Sequence, residues 1–329
     1  MPLPRTLQGA QAVTVDEHTR LMVRIARMYH EQGMRQADIA SELHVSQPRV
    51  SRLLKRAGEV GIVRTTVSEP VGVFTGLETA LEERYGLAEA VVVDAAASYD
   101  EVRPIASAAA AYLETTLIGG DSIGISSWSA TLLAMVDMLR PFNSSVASSV
   151  VQLVGGVGQS QVQVEANRLL TQLAVSLGAE PHFLPAPGLV GSVAARETLM
   201  ADEAVSRIAE QWNDLTVVLV GIGALEPSPL LQRSGNALPE ADQHQLRELG
   251  AVGDVCQRFF DADGQLVHSD LDQRVIGIGP DVLRAIPRRV GIAGGVRKTA
   301  ALRGALRGQW VNVLITDVDT ARALVEEDE

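Results

Sequence analysis

Cysteine is almost missing from this chain: Cys256 is the only one among 329 residues, which excludes an internal disulfide framework and any cysteine-cluster zinc site. A lone thiol fits a reducing compartment. Aromatic residues supply only 4% of the chain against 46% for hydrophobic residues together, so the core must be built from Val, Leu, Ile and Ala, as suits a sheet flanked by helices. Long apolar runs are missing as well. The longest, Leu215 to Leu225, is too short to cross a bilayer, and the opening MPLPRTLQGAQAVTVDEHTR has no apolar centre of the kind a secretory signal needs. A cytoplasmic protein with no membrane partner is expected. Residues 1–16 carry no repeating pattern and are expected to form a disordered leader. The six histidines show no HxxxH spacing, so neither a metal nor another cofactor is expected.

Positive charge is scarce overall, with a net charge of -12, and that total alone argues against a nucleic-acid partner. Its distribution argues otherwise. Residues 1–66 hold ten Lys+Arg and six Asp+Glu, which leaves 18 against 34 for the remainder. A basic head precedes an acidic body that repels phosphate backbones, so contact with double-stranded DNA should be confined to the head.

Within the head, Leu21, Ile25 and Met28 recur at helical spacing from Glu17 to Gln32, and Gly33 closes that helix. A second helix is expected over Gln36 to Leu43, followed by a turn at His44-Val45. Ser46 is placed to cap a third, with Pro48 tolerated in its first turn. On that helix Val50, Leu53, Leu54 and Ala57 share one face while Arg49, Ser51, Arg52, Lys55 and Arg56 occupy the rest, the layout of a DNA recognition helix. A helical hairpin with a merely solvated basic face is the plainer reading; the cap, the turn and the basic outer face together favour DNA. Gln36, Ser46 and Gln47 complete the candidate DNA-contacting set, and Ile62 to Val67 reads as a short strand closing a domain over residues 17–68.

Glu69-Pro70 and Gly72 mark a hinge, and residues 69–86 read as a linker carrying an amphipathic helix from Phe74 to Tyr85 that either docks on the body or pairs with another subunit. From residue 87 to 329, short apolar runs alternate with helical segments. Strands are expected at Val91–Val93, Ser122–Ile125, Val150–Val154, Pro181–Leu184, Val217–Gly221, Arg274–Gly277, Arg289–Ile292 and Val311–Ile315, with helices between most of them. The fold class is therefore α/β: a small all-α helix-turn-helix domain followed by a doubly wound, mostly parallel sheet covered on both faces.

Ligands of such sheets bind at the carboxyl ends of the strands, where loops meet helix N-termini. Loops of that kind occur at Gly124–Thr131, Gly155–Gly158, Gly221–Gly223, Gly253-Asp254 and Gly294–Thr299. None is a dinucleotide fingerprint, because neither Gly156-Val157-Gly158 nor Gly221-Ile222-Gly223 has the further glycine three residues on, and GGVRKT is no P-loop because Arg297 precedes the lysine. What remains is weaker. Hydroxyls of Ser127, Ser129 and Thr131, the helix start at Ala130, small residues at Gly155, Gly156 and Gly223, and the charge of Lys298 suit a phosphate, while Glu165 and Asp254 suit sugar hydroxyls. Tight strand-to-helix turns with capping hydroxyls and a solvated lysine account for the same residues equally well.

Taken together, QADIASELHVSQPRVSRLLKRAGEVGIV, VVQLVGG, LPAP at 184–187, VGIGAL at 220–225, GAVGDVCQRFFDADG at 250–264, RVIGI at 274–278, IAGGVRKTAALRGALRG and VNVLITD resemble the SorC family of bacterial sugar-responsive transcription regulators. The likeness runs from about Arg20 to Leu324. It implies an effector domain related in fold to sugar-phosphate isomerases, glucosamine-phosphate deaminases and coenzyme A transferases, binding a phosphorylated sugar or polyol without turning it over. It also implies a homo-oligomer, typically a tetramer, on paired operator half-sites, with phosphate near Ser127 to Thr131 and Lys298 and sugar hydroxyls near Glu165 and Asp254. In one place the chain departs from the family, reading GISSWSAT with an added serine and with Ser129 where glycine is usual. The alternative, a sugar-phosphate isomerase or deaminase with a fused head, requires a general base and acid, and Asp254 and Glu165 are its only candidates.

Overall fold

The computed structural model describes residues 17–63, 70, 72–95, 102–156, 160–226, 232 and 238–326, with side chains at all of these except 160–163 and 165. The expected leader at 1–16 and residues 64–67 of the expected head strand lie outside the described residues. The chain forms two compact units, residues 1–68 and 69–329.

The first unit holds α1 (Glu17–His30), α2 (Gln36–Glu42) and α3 (Gln47–Glu59). Each contributes an apolar stripe to one core: Met22, Ile25, Ala26 and Met28 from α1, Ile39 and Ala40 from α2, and Val50, Leu53 and Ala57 from α3. The turn between α2 and α3 places His44 in the left-handed region at φ 54°, a conformation in which His is enriched among non-glycine residues. Ile62 and Val63 are not in a strand; the N–H of Val63 returns to the Ala57 carbonyl at 3.0 Å and ties the chain back onto the end of α3.

The second unit is organised on a seven-stranded sheet of β1 (Glu89–Val93), β2 (Asp121–Ile125), β3 (Ala147–Gln152), β4 (Glu180–His182), β5 (Val217–Val220), β9 (Arg288–Ile292) and β10 (Val313–Asp317). Their order is β1-β10-β9-β5-β2-β3-β4, and every pairing is parallel. Alternation along the strands feeds two cores. Ile123, Ile125, Val217, Leu219, Val290, Ile292, Val313 and Ile315 face α5 (Val102–Thr116), α6 (Ala130–Met138) and α7 (Ser160–Leu177). Ala90, Val92, Val151, Val218, Val220 and Leu314 face the opposite layer, with α4 (Thr75–Tyr85), α9 (Glu203–Gln211), α11 (Pro280–Ala285), α12 (Thr299–Arg307) and α13 (Val318–Val325). Both faces are buried, as an all-parallel sheet requires.

The helix expected as a linker docks on this body. Leu81 and Tyr85 are buried in the second core, the Tyr85 hydroxyl donates to the Leu324 carbonyl at 2.8 Å, and Arg84 Nη1 donates to the Val325 carbonyl at 2.8 Å. Strand β1 is an edge strand, and α4 covers its open side. Glu78 accepts the Val92 N–H at 3.0 Å and Glu82 the Ala90 N–H at 2.9 Å, which satisfies donors that a free edge would offer to another chain.

Two expectations are corrected. The strand expected over Arg274–Gly277 is a 3-10 turn at Asp272–Arg274 followed by isolated bridges from Val275 to Leu189 and from Gly277 to Val154. Its apolar pattern reflects burial among loops, with Val275 and Ile276 fully enclosed. The loop expected at Gly253-Asp254 is part of β7 (Ala251–Val255), paired antiparallel with β8 (Arg258–Asp261) and with β6 (Gly223–Ala224) in a separate three-stranded sheet. The hairpin turns at Cys256 and Gln257, both left-handed at φ 53° and 61°, so it lacks the glycine or asparagine that marks such a turn in sequence. Helices α8 (Val193–Met200), α10 (Glu240–Glu248) and α13 were also not anticipated.

Candidate functional site

In the head, α3 shows its predicted polarity. Val50, Leu53 and Ala57 are buried, while Ser46, Gln47, Arg49, Ser51, Arg52, Lys55 and Arg56 are exposed and Gln36 on α2 is half-buried. Ser46 occupies the N-cap position with extended backbone at ψ 143°, but its hydroxyl makes no cap hydrogen bond, so it stays free to face outward. Arg49, Arg52 and Lys55 form no ion pair among the described residues; Arg56 Nη1 is 3.1 Å from Glu59 and is partly neutralised there. The free cations therefore lie on the first three turns of the helix.

In the body, strand order reverses direction between β2 and β5. The chain leaves β2 for β3 on one side and leaves β5 for β9 on the other, which opens a crevice at their carboxyl ends. The loop at Ser126–Ser129 and the segment Gly221–Gly223 form its two lips, and they touch: the Gly221 N–H donates to Ser126 Oγ at 3.3 Å, and a Cβ at Gly221 would stand 3.0 Å from Ser129 Oγ. Ser129, the residue that departs from the family pattern, accepts the Leu132 N–H at 3.3 Å and caps α6. The N–H groups of Ala130 and Thr131 have no acceptor among the described residues, so the positive end of α6 stays open to an anion. The Thr131 side chain itself is buried.

Ser127 plays an inward role. Its hydroxyl accepts from Gln152 Nε2 at 2.9 Å and donates to the Val154 carbonyl at 3.3 Å. Gln152 is a buried junction: its amide also donates to the Val154 carbonyl at 2.9 Å, its Oε1 accepts the Leu184 N–H at 3.0 Å, and its carbonyl accepts Trp212 Nε1 at 2.9 Å. This network fixes the β2 and β3 loops against each other. Gly156 lies beside it, where a Cβ would meet Gln152 Nε2 at 2.6 Å and the Trp128 ring at 3.4 Å. Gly155 is buried against Pro187, whose carbonyl leaves no room for a side chain. Trp128 Nε1, in the crevice loop, is shut off from solvent with no hydrogen-bond partner among the described residues. Sequence reasoning passed over both Trp128 and Gln152, since an aromatic in a loop and a glutamine ending a strand carry no spacing signal.

On the far side of Gly221–Gly223, β6 and β7 place Asp254 opposite Gly223, with the carboxylate directly over the glycine: a Cβ there would lie 2.0 Å from Asp254 Oδ1. Asp254 Oδ2 accepts the Gln257 N–H at 2.9 Å. Burial pushes this carboxyl up to about 6, against the opposing pull of the Gln257 hydrogen bond and of Lys298. Lys298 reaches the same place from the turn before α12, donating from Nζ to the Ile222 carbonyl at 3.1 Å. Burial lowers its pKa while Asp254 raises it. The neighbouring Cys256 thiol is pushed up by burial and by Asp254, so it has no nucleophilic character. The double glycine before Lys298 is occupied otherwise, because the Gly295 N–H is held by Asp317 Oδ2 and Thr320 Oγ1, each at 2.8 Å.

The structure thus gathers Ser129, Ala130, Gly223, Asp254 and Lys298 around one short segment, Gly221–Gly223, with Gly156 and Trp128 flanking the β2 loop. Glu165 lies on α7, its side chain outside the described residues, as is Gly158 of the expected glycine loop. No group of three or more His, Cys, Asp or Glu that could hold a metal ion occurs among the described residues. Likewise, among the described residues no helix is long and apolar enough to cross a membrane.

Residues 70–326 match the family profile described as "Putative sugar-binding domain". The chain is 34% identical over 313 residues to the deoxyribonucleoside regulator of Bacillus subtilis, covering 94% of this chain and 99% of that one. The crystal structure of the full-length sorbitol operon regulator SorC from Klebsiella pneumoniae superposes with a TM-score of 0.72 at 31% identity, covering 93% of this chain and 99% of that chain. A sugar-binding domain of the transcriptional regulator DeoR from Pseudomonas syringae pv. tomato is 41% identical with a TM-score of 0.61, over 77% of this chain and 99% of that chain.

Proposed function

This chain belongs to the SorC-like family of transcription regulators with a sugar-binding domain, and from that premise we propose how its own residues divide the work. Like its relatives it is a regulator, not an isomerase or deaminase. The α3 helix enters the major groove of operator DNA. Arg49, Arg52 and Lys55 contact phosphates, Gln47 and Ser51 reach base edges, and Gln36, Ser46 and the Glu59-bound Arg56 lie at the margins of the contact.

The body binds a small polyhydroxylated effector in the crevice at the β2 and β5 ends. The observation that carries this reading is the convergence of an open helix N-terminus at Ala130-Thr131 and the Asp254–Lys298 pair on the single segment Gly221–Gly223. An anionic group of a sugar phosphate sits at the start of α6, near Ser127 to Thr131, with Lys298 supplying charge. Asp254 and Glu165 accept hydroxyls, and Gly155, Gly156 and Gly223, each packed against protein atoms with no room for a side chain, hold the crevice walls close together. Relatives named for a deoxyribonucleoside and for sorbitol fit a ligand of this polyol class. The protein acts as a homo-oligomer, because one short helix contacts too few phosphates to hold DNA tightly and a second copy at fixed spacing supplies the rest; a tetramer is what the family resemblance implies.

The test is fluorescence anisotropy on a DNA fragment from upstream of the protein's own coding region, across a salt series, with and without a panel of sugar phosphates and polyols. Affinity should fall steeply with salt, drop about tenfold in Arg52→Ala, and change with one member of the panel. Binding indifferent both to salt and to Arg52→Ala would sink the assignment of α3. Lack of any effector response, together with no thermal stabilisation by the panel, would sink the crevice assignment.

A further inference from the structure

At the opposite end of the sheet from the crevice, where β1, β9 and β10 begin, lies a second, half-open cleft of about 250 Å³. Its walls are the last turn of α4 and the link to β1, at Tyr85, Leu87 and Ala88, together with Arg289, Val311 and Asn312. The charge balance here is unusual. Arg289 spends Nη1 on the Ile286 carbonyl at 2.5 Å, while its Nε is sealed from solvent with no acceptor. Among the described residues no carboxylate pairs with this guanidinium. The charge it feels is instead a second cation, Arg284, which stacks 4.3 Å over the Trp310 ring and also has a sealed, unpaired Nε. Burial lowers the pKa of both guanidinium groups; at Arg284 the nearby Asp281 opposes this, whereas at Arg289 the neighbouring Arg284 lowers it further. Arg289, half-buried in the cleft wall with a second cation beside it and no carboxylate partner among the described residues, leaves the site short of negative charge.

We infer that this cleft is a binding site for a small oxyanion, the phosphate or carboxylate group of a compact metabolite, with Arg289 as its principal ligand. With Nε sealed, the Nη end of the guanidinium suits either group, because both present paired oxygens. The cleft has room for a bare phosphate and for a compact body attached to it, on the side of Tyr85 and Leu87. The site is separate from the effector crevice and does not depend on that assignment.

The experiment is isothermal calorimetry on the full-length protein with two probes, inorganic phosphate and citrate, at matched ionic strength set with sodium chloride. It is run in a Lys298→Ala background so that the crevice does not contribute. At least one probe should bind, and Arg289→Gln should weaken it at least about tenfold, the loss expected for one charge-assisted pair. Because Arg289 also ties down the Ile286 carbonyl, a second variant is needed. Ala88→Glu places a carboxylate at the exposed rim, where it should occupy the guanidinium and abolish binding without touching the core. Binding of phosphate alone marks a phosphate site, and binding of citrate alone marks a carboxylate site. No binding of either probe in the Lys298→Ala background, or binding that survives Ala88→Glu unchanged, overturns the proposal.

Discussion

Gly223→Ala should be among the most damaging one-carbon changes in the effector domain, and the reason can be worked from the geometry. A Cβ built on Gly223 falls 2.0 Å from Asp254 Oδ1 and 3.1 Å from Asp254 Cγ, well inside van der Waals contact. The carboxylate has little freedom to retreat, because it is short, half-buried and fastened through Oδ2 to the Gln257 N–H at 2.9 Å. Giving way means breaking that charge-assisted hydrogen bond, at about 1.5–3 kcal/mol, or prying β6 from β7, at about 1–3 kcal/mol for overpacking. A loss of about 2–3 kcal/mol follows, or about 4–12 °C in Tm for a domain of this size. Urea denaturation of four proteins decides the matter: wild type, Gly223→Ala, Asp254→Ala and the double variant. The clash exists only when both side chains are present, so the double variant should recover about 2–3 kcal/mol relative to the sum of the single changes. A cost for Gly223→Ala that is the same in the Asp254→Ala background would refute the reasoning.

Other consequences can be checked alongside it. Because the folded protein raises the Asp254 carboxyl to about 6, its contribution to stability is present in full below the ordinary value of 3.8 and is lost as pH rises through about 6. Asp254→Asn should therefore match wild type near pH 4 and exceed it in denaturant midpoint above about pH 7, by up to about 3 kcal/mol. For the same reason, effector affinity measured by calorimetry should fall as pH drops through about 6 in wild type and stay flat in the asparagine variant. In DNA binding, Arg52→Ala should lower the slope of log affinity against log salt by about 1, whereas Arg56→Ala should change it less because Glu59 already holds that side chain. Removing the Gln152 side chain strands the Leu184 N–H and frees Ser127, so Gln152→Leu should cost about 2–4 kcal/mol by denaturant titration despite its apolar shape.

How much of this was legible in the sequence depends on which interactions are periodic. The head helices and most main-sheet strands follow apolar spacing, as do α9, α11 and α12 among the helices expected between strands, because each buries one face against a neighbour that does not need to be known. The candidate crevice was partly visible through its glycines and hydroxyls. Their use was not. Gly223 reads as a loop glycine, yet its lack of a side chain makes room for Asp254, thirty-one positions away in the chain. Ser127 reads as a phosphate ligand, yet its hydroxyl is engaged with Gln152 and Val154. The β7–β8 hairpin escaped because Cys256 and Gln257 adopt a conformation that sequence patterns assign to glycine or asparagine. Helix α10 escaped for the opposite reason, since Leu246 is its only buried residue and it offers almost no apolar rhythm.

The pair of glutamates on α4 has a mechanical meaning beyond protecting an edge. Glu78 and Glu82 are four residues apart on a helix, a rise of about 6 Å, and the N–H groups they hold, on Val92 and Ala90, are two residues apart on a strand, about 6.7 Å. The two spacings nearly coincide at one setting only, and they run in opposite directions along the two elements. A slide of α4 by a single residue would put both carboxylates out of reach at once, so the contact behaves as a detent with one notch and not as a smooth bearing. Movement of α4 relative to β1 is therefore all or none. It requires about 3–6 kcal/mol to release both charge-assisted bonds together, which sets the minimum difference in binding energy any ligand would need to drive such a step.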